Sequence, residues 1–166
     1  MKCTLVLLTL FLFGCASKQP PITFDLKIES VFDSYEYSTH TYIKELCIEG
    51  TSYSNKIKLT NSQIENIINE AHKIEFFSLS DYIEHEGEAS VIENGIEKIQ
   101  VCAPCPDKKL FLKIADRSHT ITWSCNCSSR EEPTPKVLDA LIALIESPIH
   151  RSTAYKSAPE SMCRLR

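Results

Sequence analysis

The run LFLKIADRSHTITW, residues 110–123, commits this part of the chain to two facing strands. Leu110, Leu112 and Ile114 alternate with Phe111 and Lys113, the period-two pattern of a strand with one face buried. Asp116 to His119 is polar and separates Leu110–Ala115 from a second β-prone run, Thr120–Ser124. Strands this close in sequence pair most simply as an antiparallel hairpin, here predicted to be centred near Arg117.

The same alternation appears toward the N-terminus. Ile22, Phe24, Leu26 and Ile28 are interleaved with Thr23, Asp25, Lys27 and Glu29. A second extended region runs from Tyr35 to Ile48 and stops at Glu49-Gly50, and a shorter one covers Tyr53 to Leu59. Three successive strands predict an antiparallel meander. Asn94-Gly95, between Val91-Ile92 and the Ile96–Val101 run, is a two-residue hairpin signal.

Two helices complete the layer. Thr60 and Gln63 stand at the N-cap and N3 positions of a capping box, in which each side chain satisfies the other residue's backbone N–H. Ile64, Ile67, Ile68, Ala71 and Ile74 then share one helical face, and Phe76, Phe77 and Leu79 follow as anchors. Near the C-terminus, Thr134-Pro135 can start a helix and Ser147-Pro148 end it. Val137, Leu138, Leu141, Ile142, Leu144 and Ile145 make most of that cylinder apolar, so it is expected to be deeply packed. The expected architecture is α+β: an antiparallel sheet of meander and hairpins with two packed helices, in one domain over residues 22–148. Residues 149–166, with Arg151, Lys156, Arg164 and Arg166 against Glu160, are expected to form a mobile tail.

Four cysteines flank the 110–123 hairpin. Cys102-Ala-Pro-Cys105 precedes it and Cys125-Asn-Cys127 follows it. Three chemistries fit. Disulfides between the two arms are favoured, because a Cys-x-Cys ring is strained and exported proteins keep such bridges. A tetrathiolate zinc site has similar ligand spacing, although zinc ribbons usually offer two Cys-x-x-Cys knuckles. A redox pair at Cys102/Cys105 lacks the helix whose start would acidify the thiol. Cys47 and Cys163 remain: they can pair and pin the tail, or Cys47 can be a small buried apolar residue.

Thr4 to Phe13 is an uncharged apolar run after Lys2, too short to span a bilayer, which takes about 20 residues. It ends in Leu12-Phe13-Gly14-Cys15, which resembles the lipobox of bacterial lipoproteins. Leu12 and Gly14 match the motif, and Phe13 is bulkier than the usual residue there. The resemblance implies cleavage after Gly14, acylation at Cys15, a signal peptide over residues 1–14 and a lipidated tether over residues 15–21. With Ala16 rather than Asp next to the anchor, it further implies outer-membrane retention if the host is Gram-negative. The order of elements resembles domains of unknown function in small bacterial lipoproteins, through Leu59-Thr60 and Phe76-Phe77-Ser78-Leu79. That likeness implies a fold and no mechanism.

A net charge of −4 gives no electrostatic case for nucleic acid. Asp81–Glu88 is acidic, but its spacing matches no EF-hand, and a solvated loop is the simpler reading. Glycine-rich phosphate loops and Gly-x-Ser-x-Gly elbows are absent from the sequence, and His40, His72, His85, His119 and His150 are scattered. This weakens the case for an enzyme without closing it, since catalytic triads assemble in space. The expectation is a lipid-anchored, non-enzymatic binding or interaction module of the cell envelope, without cofactor, whose partners are the membrane and an envelope protein or ligand. The alternative is a zinc or thiol-redox protein acting through Cys102, Cys105, Cys125 and Cys127.

Overall fold

The computed structural model describes residues 23–83, 90–93, 96–99, 107–123 and 134–163. A first meander comprises β1 (Phe24–Glu29), β2 (Asp33–Glu36), β3 (Thr41–Glu45) and β4 (Ser52–Lys56). Helix α1 (Asn61–Lys73) follows, then a 3-10 turn (Phe76–Ser78) and the two-residue β5 (Tyr82–Ile83). β6 (Ser90–Glu93) and β7 (Ile96–Ile99) form a separate antiparallel pair. β8 (Lys108–Ile114), β9 (Arg117–Trp123), α2 (Asp139–Arg151) and the short α3 (Thr153–Lys156) close the fold.

The main sheet has seven strands in the order β4-β3-β2-β1-β8-β9-β5. Every pairing is antiparallel except β5 with β9, which is parallel. The fold is therefore α+β, as the residue pattern predicts. Alternation places Leu26, Ile28, Tyr35, Tyr42, Leu110, Leu112, Ile121 and Trp123 on one buried face. Ile67 and Ala71 of α1, with Leu141, Ile142, Ile145 and Ile149 of α2, belong to the same apolar cluster. The sheet thus buries one face under two helices, the usual solution for a half-apolar sheet.

Local chemistry accounts for the α1 boundary. Thr60 Oγ1 accepts from Gln63 N at 3.3 Å, and Thr60 N donates to Gln63 Oε1 at 2.8 Å, so the capping box is present. Ile64, Ile68 and Ile74 pack against the core beside Ile67 and Ala71, the face that the spacing predicts.

Four details differ from the sequence reading. The extended Tyr35–Ile48 region is two strands, parted by a turn in which His40 N donates to Tyr37 O at 2.9 Å. The 110–123 hairpin turns at Ala115-Asp116 instead of around Arg117: Ile114 pairs with Arg117, and Lys108 with Trp123. Ala115 takes φ 57°, a left-handed conformation that gives no alanine signal in sequence, and its N–H donates to Thr23 O at 2.8 Å. Helix α2 starts at Asp139 and runs through Pro148 to Arg151. Pro135 O and Lys136 O accept from Leu138 N and Asp139 N, so residues 135–138 form a turn leading into the helix. Burial of Ile149 on the core holds the last turn together beyond the proline.

The fourth difference concerns the C-terminal tail. Residues 149–163 are docked. Ser152 caps α3 by accepting from Tyr155 N at 3.1 Å. Tyr53 Oη donates to Ala154 O at 2.9 Å, Lys44 Nζ to Pro159 O at 2.9 Å, and Met162 N to Leu46 O at 2.9 Å. A disulfide, Cys47–Cys163, fastens the end. The basic charge count that suggested a loose tail does not register these backbone contacts.

Candidate functional site

Where the last turns of α2 cross β2 and β3, the core does not close completely. A cavity of about 30 Å³ remains, walled by Ile28 and Ile149 and edged by Asp33, Tyr35, Tyr42, Glu146 and His150. That is about the space one water molecule needs. The strand period explains the placement: Tyr35 and Tyr42 are opposite each other in the β2–β3 register, and both point to the helix side.

The two phenols differ in one respect. Tyr35 Oη donates to Ile57 O at 3.0 Å. Tyr42 is only 2% exposed, and its hydroxyl makes no hydrogen bond of good geometry, although the Asp33 carboxylate is close enough to act on its proton. Burial pushes the Tyr35 hydroxyl up to about 12, with Tyr37 adding to the effect. Burial also raises Tyr42 well above its ordinary value, and the charge of Asp33 raises it further. The Asp33 carboxylate itself accepts a short hydrogen bond from Ser30 Oγ. At neutral pH both phenols are therefore donors and not nucleophiles. The cavity suits a small polar group held by hydrogen bonds, and it is too small for a substrate cleft.

An aromatic stack adjoins this cavity through Tyr42 and His150. Tyr155 of α3 lies 5.4 Å from the Tyr42 ring and 4.5 Å from His150. Burial, then the charges of Asp33 and Glu146, raise the Tyr155 hydroxyl as well. Outside the stack, Tyr53 accepts from Asn55 Nδ2 at 2.7 Å, and this contact with that to Ser157 lowers its hydroxyl pKa. The segment carrying Tyr155 is the one that the disulfide anchors, with Cα atoms 5.0 Å apart across 116 residues of sequence.

A second constellation lies near the opposite sheet edge. His119 Nε2 donates to Leu79 O at 3.0 Å, and its Nδ1 is 3.6 Å from Asp81 Oδ1. Its ring meets Phe76 edge-on at 5.5 Å. This ties the 3-10 turn and β5 to β9, and Ser118, Thr120 and Thr122 line the same surface pocket as the pair. Asp81 is the one acidic residue of the 81–88 stretch among the described residues, and it faces His119. Among the described residues, no group of three or more His, Cys, Asp or Glu side chains is arranged to hold a metal ion.

Of the cysteines singled out in the sequence, Cys47 and Cys163 are joined. Cys15, Cys102, Cys105, Cys125 and Cys127 lie outside the described residues, as do Glu84, His85, Glu86 and Glu88. The tyrosine cavity was not anticipated. Tyr35 and Tyr42 read in sequence as ordinary strand residues, and Asp33, Glu146 and His150 carry no shared spacing. No family model matches the chain, and neither a curated protein nor a solved structure does.

Proposed function

We propose that this chain is an exported lipoprotein, anchored to the cell envelope through Cys15, whose folded part is a non-enzymatic binding or interaction module. The observation that carries the reading is the Cys47–Cys163 bridge together with the Leu12–Cys15 motif. Disulfides persist where oxidants reach the chain, and an exported domain meets that condition. The tyrosine cavity supports a binding role: the protonated Tyr42 hydroxyl and the Asp33 and Glu146 carboxyl groups edge a space of molecular-water size.

A second reading, a zinc or thiol-redox protein acting through Cys102, Cys105, Cys125 and Cys127, is favoured by one feature. Lys108 and Trp123 pair at the open end of the β8–β9 hairpin, and each cysteine pair lies a few residues beyond one of those strand ends in the chain.

The anchor is tested by expressing the full chain and its Cys15→Ser variant in a bacterium fed an alkyne-tagged fatty acid. Wild-type protein should take up label and sediment with membranes. The variant should do neither while keeping the fluorescence of Trp123. Equal labelling of both, or wild-type protein left unlabelled and unprocessed, removes the proposal.

A further inference from the structure

The segment from Ser152 to Cys163 is held on by a bond that thiols can undo. Its first half is the four-residue α3, which has no fully buried residue and is held by Tyr155 between Tyr42 and His150 and by Ala154 O accepting from Tyr53. Past Ser157 its ties to the domain are polar and peripheral: Pro159 O to Lys44, Ser161 Oγ to Glu45 O at 2.7 Å, and Met162 N to Leu46 O. The Met162 side chain is 64% exposed, so little apolar area holds this end. Cys47 lies on an exposed loop, where an incoming thiolate can approach its sulfur. What the segment covers is incompletely satisfied, because the Tyr42 hydroxyl beneath it is buried without a partner.

We infer that the Cys47–Cys163 disulfide is a reducible latch, and that its opening by a dithiol frees residues 152–163 and uncovers Tyr42 and Tyr53 as an aromatic, hydrogen-bonding surface. One thiolate of the dithiol attacks the Cys47 sulfur, and Cys163 leaves as a thiolate that takes up a proton. The second thiol of the reagent then attacks the mixed disulfide. Cys47 is released as a thiol and the dithiol departs as its cyclic disulfide. Two electrons pass from the dithiol to the protein, and the two protons come from its own thiols. The latch depends on the bridge alone and not on the lipid anchor, so loss of either idea leaves the other standing.

The test uses the full chain in three forms: oxidised, treated with dithiothreitol, and as an untreated Cys47→Ser/Cys163→Ser variant. Amide exchange of residues 156–163, alkaline titration of the tyrosines and Trp123 emission are followed. Bridges of this kind typically shift an equilibrium by a factor of about 30 or more, so exchange should quicken by at least that factor in both reduced and variant protein. Tyrosine titration should move toward its ordinary range, while Trp123 emission stays as in the oxidised form. Unchanged exchange in both forms overturns the latch, since the peripheral contacts then suffice. Opening with dithiothreitol but not in the variant overturns it too, by assigning the effect to other cysteines. A red shift of Trp123 alongside opening also overturns it, because the bridge would then be a staple for the whole domain.

Discussion

Tyr35→Phe and Tyr42→Phe remove the same atom from facing positions on one sheet face, and their effects on stability should have opposite signs. The rings are 1% and 2% exposed, so neither change alters solvent contact appreciably. Tyr35→Phe deletes the donor to Ile57 O, and Ile57 is itself buried at 4% exposure, leaving the carbonyl short of its partner. Loss of such a bond with a desolvated group left behind costs about 1–2 kcal/mol. Tyr42→Phe deletes a hydroxyl that is already desolvated and unpartnered. Its burial costs about 1–3 kcal/mol, and the nearby Asp33 carboxylate offsets part of that. A gain of about 1 kcal/mol is expected.

The two variants should therefore differ by about 2–3 kcal/mol, or several degrees in melting temperature at roughly 2–4 °C per kcal/mol for a domain of this size. Urea titration followed through the single tryptophan, Trp123, which is 1% exposed, reads both. A Tyr42→Phe protein less stable than wild type by about 1 kcal/mol or more would refute the reasoning. It would mean that the hydroxyl works in the native state, with the Asp33 carboxylate or a water in the adjoining cavity as its partner.

The same tyrosines predict an alkaline limit. Unfolded Tyr35 loses its proton near 10 and folded Tyr35 near 12, so above the lower value the unfolded state binds fewer protons and stability falls as pH rises. Across that window, roughly 2–3 kcal/mol should be lost, visible as a falling urea midpoint between pH 9 and pH 12, and Tyr42 acts in the same direction. At the start of α1, Thr60→Ala should cost about 1 kcal/mol by leaving Gln63 N unsatisfied, while Thr60→Ser should cost much less. Urea midpoints at neutral pH compare the two, and equal losses would show that the methyl group matters more than the cap.

What was legible in the sequence is what local periodicity controls. Leu26 and Ile28, Leu110 and Leu112, and the Ile64–Ile74 face all lie where alternation or helical spacing puts them. The capping box was legible because its two partners are three residues apart. Features that depend on distant segments were not. The parallel pairing of β5 with β9 joins residues forty apart over two pairs, and nothing in Tyr82-Ile83 announces it. Ala115 in a left-handed turn lacks the glycine or asparagine that usually marks one. Docking of the tail depends on Leu46, Tyr53 and Cys47, more than a hundred residues earlier. The tyrosine cavity is the extreme case, since the unpartnered Tyr42 hydroxyl results from where β2, β3 and α2 meet.

The Cys47–Cys163 bridge sharpens the question of the other cysteines by arithmetic. The chain has eight, and on the proposed processing Cys3 goes with the leader and Cys15 carries the lipid, leaving six. One pair of those is joined, and four remain, Cys102, Cys105, Cys125 and Cys127. A compartment that oxidises a pair such as Cys47–Cys163 also oxidises the other thiols of the chain, unless a metal holds them as thiolates. The two readings of the cluster therefore predict different integers for denatured, processed protein purified without reductant. Structural bridges leave no thiol to react with a chromogenic disulfide and no zinc in the sample. A tetrathiolate site releases four thiols and one zinc per chain once a chelator is present. Four thiols without zinc would instead mark four reduced cysteines in a chain whose latch is oxidised, and that result alone would move the redox reading ahead of both.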